Sequence, residues 1–162
     1  MYLDHRTGPE PVLADALGWL RSHVPEGTET VLVHGDYRTG NLVFRDDAIV
    51  AILDWEFAQP GDPMRDVAWV LAGSNRVGSE LACYLIDPER FARRYEEVSG
   101  RSIDWAAVRF WQLSYQVFNA LCWTHAEHAL RAGRTRDLRM LRWSYTMPVM
   151  RSLVVEALRA VV

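Results

Sequence analysis

The stretch His34-Gly35-Asp36-Tyr37-Arg38-Thr39-Gly40-Asn41, followed closely by Ile52-Leu53-Asp54-Trp55-Glu56, decides how this chain is read. The β-branched run Thr30-Val31-Leu32-Val33 reads as a strand that enters the polar loop 34–40. Residues 41–45 read as a second strand, with Leu42 and Phe44 on one face, and 48–53 as a third. Asp46-Asp47 then forms a two-residue hairpin loop, so that Arg45 faces Ala48 and Asn41 faces Ile52. Asp54 lies two residues past Ile52, about 7 Å further along the strand direction, over the loop that holds Asp36. The hairpin is therefore expected to gather Asp36, Asn41 and Asp54 at one end. Two carboxylates and an amide oxygen are hard-oxygen ligands, suited to Mg²⁺ rather than zinc.

Working outward, the character turns helical after Gly61. Asp62-Pro63 is a start signal, with Asp as cap and Pro at the first helical position, and Val67, Val70 and Leu71 supply a buried stripe. Asp87-Pro88 repeats the device before a helix over 89–98, which Gly100 ends. Residues 104–132 contain no Pro or Gly, and Gly133 follows at a C-terminal position. A helix over 137–146 is expected to kink or break at Pro148 and resume over 149–162. Upstream, Leu13, Leu17, Leu20 and Val24 give a helical pattern over 11–24. A small β-hairpin region followed by helices is an α+β pattern with segregated elements, here a single domain over 1–162.

Composition bounds the function. The chain has 162 residues, 49% hydrophobic and 24% charged, which suits one soluble globular domain. A net charge of −3 gives no support for a nucleic-acid binder, and no apolar run reaches the length of a membrane span. Met1-Tyr2-Leu3-Asp4-His5-Arg6 has no apolar export signal, and a cytoplasmic protein with Cys83 and Cys122 as reduced thiols is expected. All 18 basic residues are arginine. With no lysine, a Walker-type phosphate loop and lysine Schiff-base chemistry are both excluded.

His34-Gly35-Asp36 through Asn41 resembles the H-x-D-x-x-x-x-N catalytic loop of eukaryotic-like kinases, and Ile52-Leu53-Asp54-Trp55-Glu56 resembles the metal-binding segment that follows it. With Gly61-Asp62-Pro63 and Asp66 downstream, the set is most similar to the aminoglycoside phosphotransferase and choline kinase family, in the branch linked to acyl-CoA dehydrogenases. The match covers residues 34 to about 71. The resemblance implies a kinase-like C-terminal catalytic lobe that uses ATP and Mg²⁺ to phosphorylate a small-molecule hydroxyl. It implies that Asp36 accepts or orients the hydroxyl proton and that Asn41 and Asp54 hold Mg²⁺ against the phosphates. Arg38 would neutralise transferring phosphate or pair with a neighbouring carboxylate, His34 would be structural, and Asp66 would pin the catalytic-loop backbone. Glu56 stands where protein kinases place Gly. Asp62 is expected to be a helix cap.

Kinase-like enzymes clamp nucleotide with an N-terminal lobe carrying a Lys. About thirty residues precede the catalytic loop, against the ~100 that a five-stranded lobe needs. The expectation is a C-terminal lobe alone, completed by that lobe or by a second copy. A silent lobe acting as a binding module, or metal-dependent phosphate hydrolysis, are the alternative readings. The aromatics Trp105, Phe110, Trp111, Tyr115, Phe118 and Trp123 are expected to be core for the most part, with some lining an acceptor cleft. His125 and His128 read as surface residues, and the arginines from Arg131 to Arg142 as a solvated face, which would suit CoA phosphates if the acceptor were a CoA ester. The long helix carries few acids, which disfavours a cationic aminoglycoside acceptor.

Overall fold

The computed structural model describes residues 10–27 and 29–162. The N-terminal segment read for an export signal lies outside them. The elements are α1 (Pro11–Ser22), β1 (Val31–Val33), β2 (Leu42–Arg45), β3 (Ala48–Ile52), β4 (Gln59–Gly61), α2 (Met64–Val70), α3 (Pro88–Ser99), α4 (Trp105–Arg131), α5 (Leu138–Tyr145) and α6 (Met147–Arg159). The fold is α+β, as expected. No helix among the described residues is long and apolar enough to cross a membrane.

The chain forms two compact units. One spans 25–112 and holds both small sheets, α2, α3 and the start of α4. Its core is built from Met64, Val67, Ala68, Val70 and Leu71 on and just beyond α2, with Ala82, Cys83, Ala92, Ile103 and Val108 against them. The other comprises 1–24 and 113–162, where Leu13 and Ala16 of α1 pack with Leu113, Val117 and Ala120 of α4 and Met147, Met150 and Val154 of α6.

The local signals act as their chemistry dictates. Asp87 caps α3 by accepting the Arg90 N–H at 2.8 Å, and Gly100 closes it at φ 68°. At the start of α2 the expected positions move by one: Pro63 is the cap residue and Met64 the first of the helix, while Asp62, one position earlier, accepts the Met64 N–H at 2.8 Å. Pro148 lies in the first turn of α6, so it begins a helix that already includes Met147 instead of interrupting one. Asp46 and Asp47 both have positive φ, at 47° and 63°, which matches the right-handed twist of the flanking strands.

The hairpin register departs from the expected one. Arg45 faces Ala48, but Leu42, not Asn41, faces Ile52. A β-bulge between Val43 and Phe44 on the ladder places one extra residue on β3 and shifts everything beyond it by one position. Asn41 consequently belongs to the short turn Thr39–Asn41, ahead of the strand. A further strand, β4, pairs antiparallel with β1 through Val31 and Gly61, Leu32 and Pro60, and Val33 and Gln59. Its Gln-Pro-Gly sequence carries no strand signal; only the partner strand makes it one.

Candidate active site

His34 opens the site from the end of β1 and is 3% exposed. Its Nε2–H donates to the Leu53 carbonyl at 2.9 Å, and its Nδ1 accepts the Asp36 N–H at 3.1 Å. Both ring nitrogens are thus spent on backbone, and the ring ties the loop 34–41 to the end of β3. Trp55 lies against the same ring, with centroids 4.6 Å apart.

Asp66, in the first turn of α2, accepts the N–H groups of His34 at 2.7 Å and Gly35 at 2.8 Å. Gly35 sits at φ 82°, and a Cβ there would lie 2.7 Å from the Phe57 carbonyl oxygen, so the close passage of the two chain segments requires glycine.

Asp36 is the most heavily bonded carboxylate of the loop. Its Oδ1 accepts from Trp69 Nε1 at 2.7 Å and from Arg38 Nε at 3.1 Å. Its Oδ2 accepts from Asn41 Nδ2 at 2.8 Å, which also donates to the Asp36 carbonyl at 2.8 Å. Asn41 is 5% exposed, and with its Nδ2 turned to Asp36 its amide oxygen is the acceptor left over. Arg38, 43% exposed at the side chain, pairs with Asp36.

Asp54 arrives from the other strand. The Leu53 N–H donates to the Asn41 carbonyl at 2.8 Å, so the residue after Leu53 emerges beside Asn41. Asp54 adopts the left-handed conformation, φ 63° and ψ 60°, which ends the strand and starts the turn Trp55–Phe57. Its carboxylate is exposed and carries no hydrogen bond or ion pair among the described residues. Glu56 is exposed as well. No group of three His, Cys, Asp or Glu residues able to hold a metal occurs among the described residues. Two hard-oxygen groups without a hydrogen bond, the Asp54 carboxylate and the Asn41 amide oxygen, thus lie on segments that the Leu53–Asn41 backbone bond joins.

Three supporting contacts have no counterpart in the sequence reading. Trp69 reaches Asp36 from α2. Trp111 Nε1 donates to Asp62 Oδ2 at 2.8 Å, so Asp62 does more than cap its helix. Thr39 Oγ1 donates to the Cys83 carbonyl, tying the loop to the segment before α3. The spacing of Asp66 and Trp69, three apart on one helix, was the available signal for the first. Tyr37, Arg38 and Thr39 border a cavity of about 340 Å³ whose other walls are largely apolar, among them Leu42, Phe44 and Ile86. In the other unit His125 is exposed and His128 half-buried. Arg131 pairs with Glu127 and Arg139 with Asp137 on the arginine-rich surface. Of the aromatics on α4, Phe110 and Tyr115 are buried, whereas Trp105 and Phe118 are each 48% exposed.

The model of the phosphotransferase enzyme family matches residues 1–111. Acyl-CoA dehydrogenase family member 10 of Mus musculus is 40% identical over 70 residues, 42% of this chain and 6% of that protein. Acyl-CoA dehydrogenase family member 11 of Homo sapiens is 36% identical over 61 residues, 36% of this chain and 8% of that protein. The chain thus spans less than a tenth of the length of these relatives. A crystal structure from Ralstonia eutropha JMP134, provisionally assigned as an aminoglycoside phosphotransferase, superposes with a TM-score of 0.80 at 23% identity, over 98% of this chain and 52% of that one. A thermostable mutant of aminoglycoside phosphotransferase APH(4)-Ia gives a TM-score of 0.58 at 21% identity, over 93% of this chain and 43% of that one. At these identities the likeness establishes the kinase-like fold.

Proposed function

The chain belongs to the phosphotransferase enzyme family, and from that premise we propose that it is the catalytic lobe of an ATP- and Mg²⁺-dependent enzyme that phosphorylates a small-molecule hydroxyl in the cytoplasm. The observation that carries this reading is the junction at Asn41. Its side chain bonds Asp36 while its carbonyl bonds Leu53, bringing the second carboxylate, Asp54, to the same end of the hairpin.

The residues fit a magnesium ion. Asp54 has an unspent carboxylate and Asn41 an unspent amide oxygen, two hard ligands that leave other positions to phosphate and water. The ion, when bound, would neutralise charge on the phosphate oxygens. Asp36 accepts the proton of the acceptor hydroxyl as that oxygen attacks the γ-phosphorus, and ADP leaves. Arg38 lies beside Asp36, where its guanidinium offsets charge on the transferring phosphoryl group. His34 and Asp66 hold the loop backbone and contact no reacting atom. The cavity of about 340 Å³ beside Arg38 is of the size that small-molecule sites take, which supports such an acceptor.

A nucleotide-clamping Lys is not in this chain. The hairpin leaves Val43, Phe44, Ile49 and Val50 between 36% and 49% exposed, Phe44 and Ile49 beside the cavity and Val43 on the opposite side of β2, apolar surface that we assign in part to a nucleotide-covering lobe. The same surface favours a second reading, a catalytically silent lobe that pairs through it, as a homodimer for instance.

Calorimetric titration of the chain with Mg·ATP separates the two. Micromolar binding that is lost in Asp54→Asn supports the catalytic reading. Absence of binding, together with concentration-dependent dimerisation, supports the silent one.

A further inference from the structure

We propose that Trp69 is a positioning residue for Asp36, holding the carboxylate in the orientation needed to receive a proton; this rests on the phosphotransfer reading above. The indole is 7% exposed and donates from Nε1 to Asp36 Oδ1 at 2.7 Å, the shortest of the bonds that carboxylate accepts. An ionised carboxylate offers about four acceptor directions on its two oxygens. Arg38 Nε straddles both oxygens, at 3.1 and 3.3 Å, and Asn41 takes one direction on Oδ2. Trp69 takes one direction on Oδ1 as Asn41 does on Oδ2, so an incoming hydroxyl takes the direction that Arg38 Nε shares between the two oxygens.

The three donors differ in stiffness. Arg38 is 43% exposed on a long side chain, and Asn41 is shared with the proposed metal position. Trp69 stands on α2 within the core, its carbonyl held by Asn75 Nδ2 at 2.7 Å. Asp66 occupies the same helix face one turn earlier and fixes the backbone of His34 and Gly35. One helix face thus sets both the path of the loop and the direction of its carboxylate, and a small misplacement of such a group costs up to about a hundredfold in rate.

Trp69→Phe keeps an aromatic ring and removes the donor together with the pyrrole part of the indole. Steady-state ADP release from Mg·ATP, with water as acceptor, is measured on the full chain for wild type, Trp69→Phe and Asp36→Asn. Trp69→Phe is expected to lower kcat by about 10- to 100-fold with KM for Mg·ATP within twofold. Wild-type kcat in Trp69→Phe beside a dead Asp36→Asn overturns the positioning role alone. An Asp36→Asn variant as active as wild type overturns the phosphotransfer reading instead. A rise in KM matching the fall in kcat/KM assigns Trp69 to packing and overturns the proposal. Amide and indole NMR spectra decide the case where the chain releases no ADP. Asp36→Asn is expected to shift the Trp69 indole proton upfield, and Trp69→Phe to shift the Asn41 side-chain amide. An Asn41 amide unmoved in Trp69→Phe overturns the proposal.

Discussion

The carboxylate of Asp66 accepts the backbone N–H of His34 at 2.7 Å across 32 positions of sequence. With its second oxygen on the Gly35 N–H, it fastens the start of the loop 34–41 to the first turn of α2. Asp66→Ala removes both acceptors at once. Hydrogen bonds to charged groups contribute about 1.5–3 kcal/mol each, and the bared N–H groups find water only in part, so a loss of about 2–4 kcal/mol is expected. A urea melt should show a lower midpoint at unchanged slope.

Gly35→Ala tests the close passage beside Phe57. The new methyl would stand 2.7 Å from a backbone oxygen that cannot swing aside, at a φ of 82°. Strain of this kind costs about 1–3 kcal/mol, and the loop that carries Asp36 must shift to relieve it. Reduced thermal stability together with loss of Mg·ATP binding is the expected result. A variant as stable as wild type would show that the two segments separate freely.

The hairpin turn predicts an effect of the opposite sign. Asp47 holds φ at 63°, a conformation that costs an L-residue and that glycine adopts freely. Asp47→Gly yields the Asp-Gly pair preferred in such turns and is expected to stabilise the chain by about 0.5 kcal/mol. A rise in the urea midpoint checks it.

Burial sets the response to alkali. It pushes the Cys83 and Cys122 thiols and the Tyr37 phenol above their ordinary values, and the Asp66 charge pushes Tyr37 further. Each is an acid that the native state keeps protonated longer than the unfolded state does. Unfolding therefore releases protons once pH passes the ordinary thiol and phenol values, and stability falls as pH rises through that window. Thermal melts between pH 8 and pH 11 should show a falling Tm. Alkylation of the two thiols at pH 8 should be slow in the native chain and fast in urea.

How much of this was legible in the residues follows from the range of the interactions. Asp87-Pro88, Asp62-Pro63, Gly100 and the Asp46-Asp47 turn act within a few positions of themselves, and each marks its element as read. The α+β class, the hairpin and the loop from His34 to Asn41 are likewise local, and the family resemblance rests on them. The bulge beside Val43, the pairing of Gln59–Gly61 with β1, and the bond from Trp69 to Asp36 were not legible. Strand pairing and side-chain donors depend on what lies opposite, and an unbulged ladder satisfies the same local sequence. The residue types of the site are thus written in the chain, whereas the direction in which Asp36 points arises only when segments about thirty positions apart pack together, and the register that delivers Asp54 only when the two hairpin strands pair around their bulge.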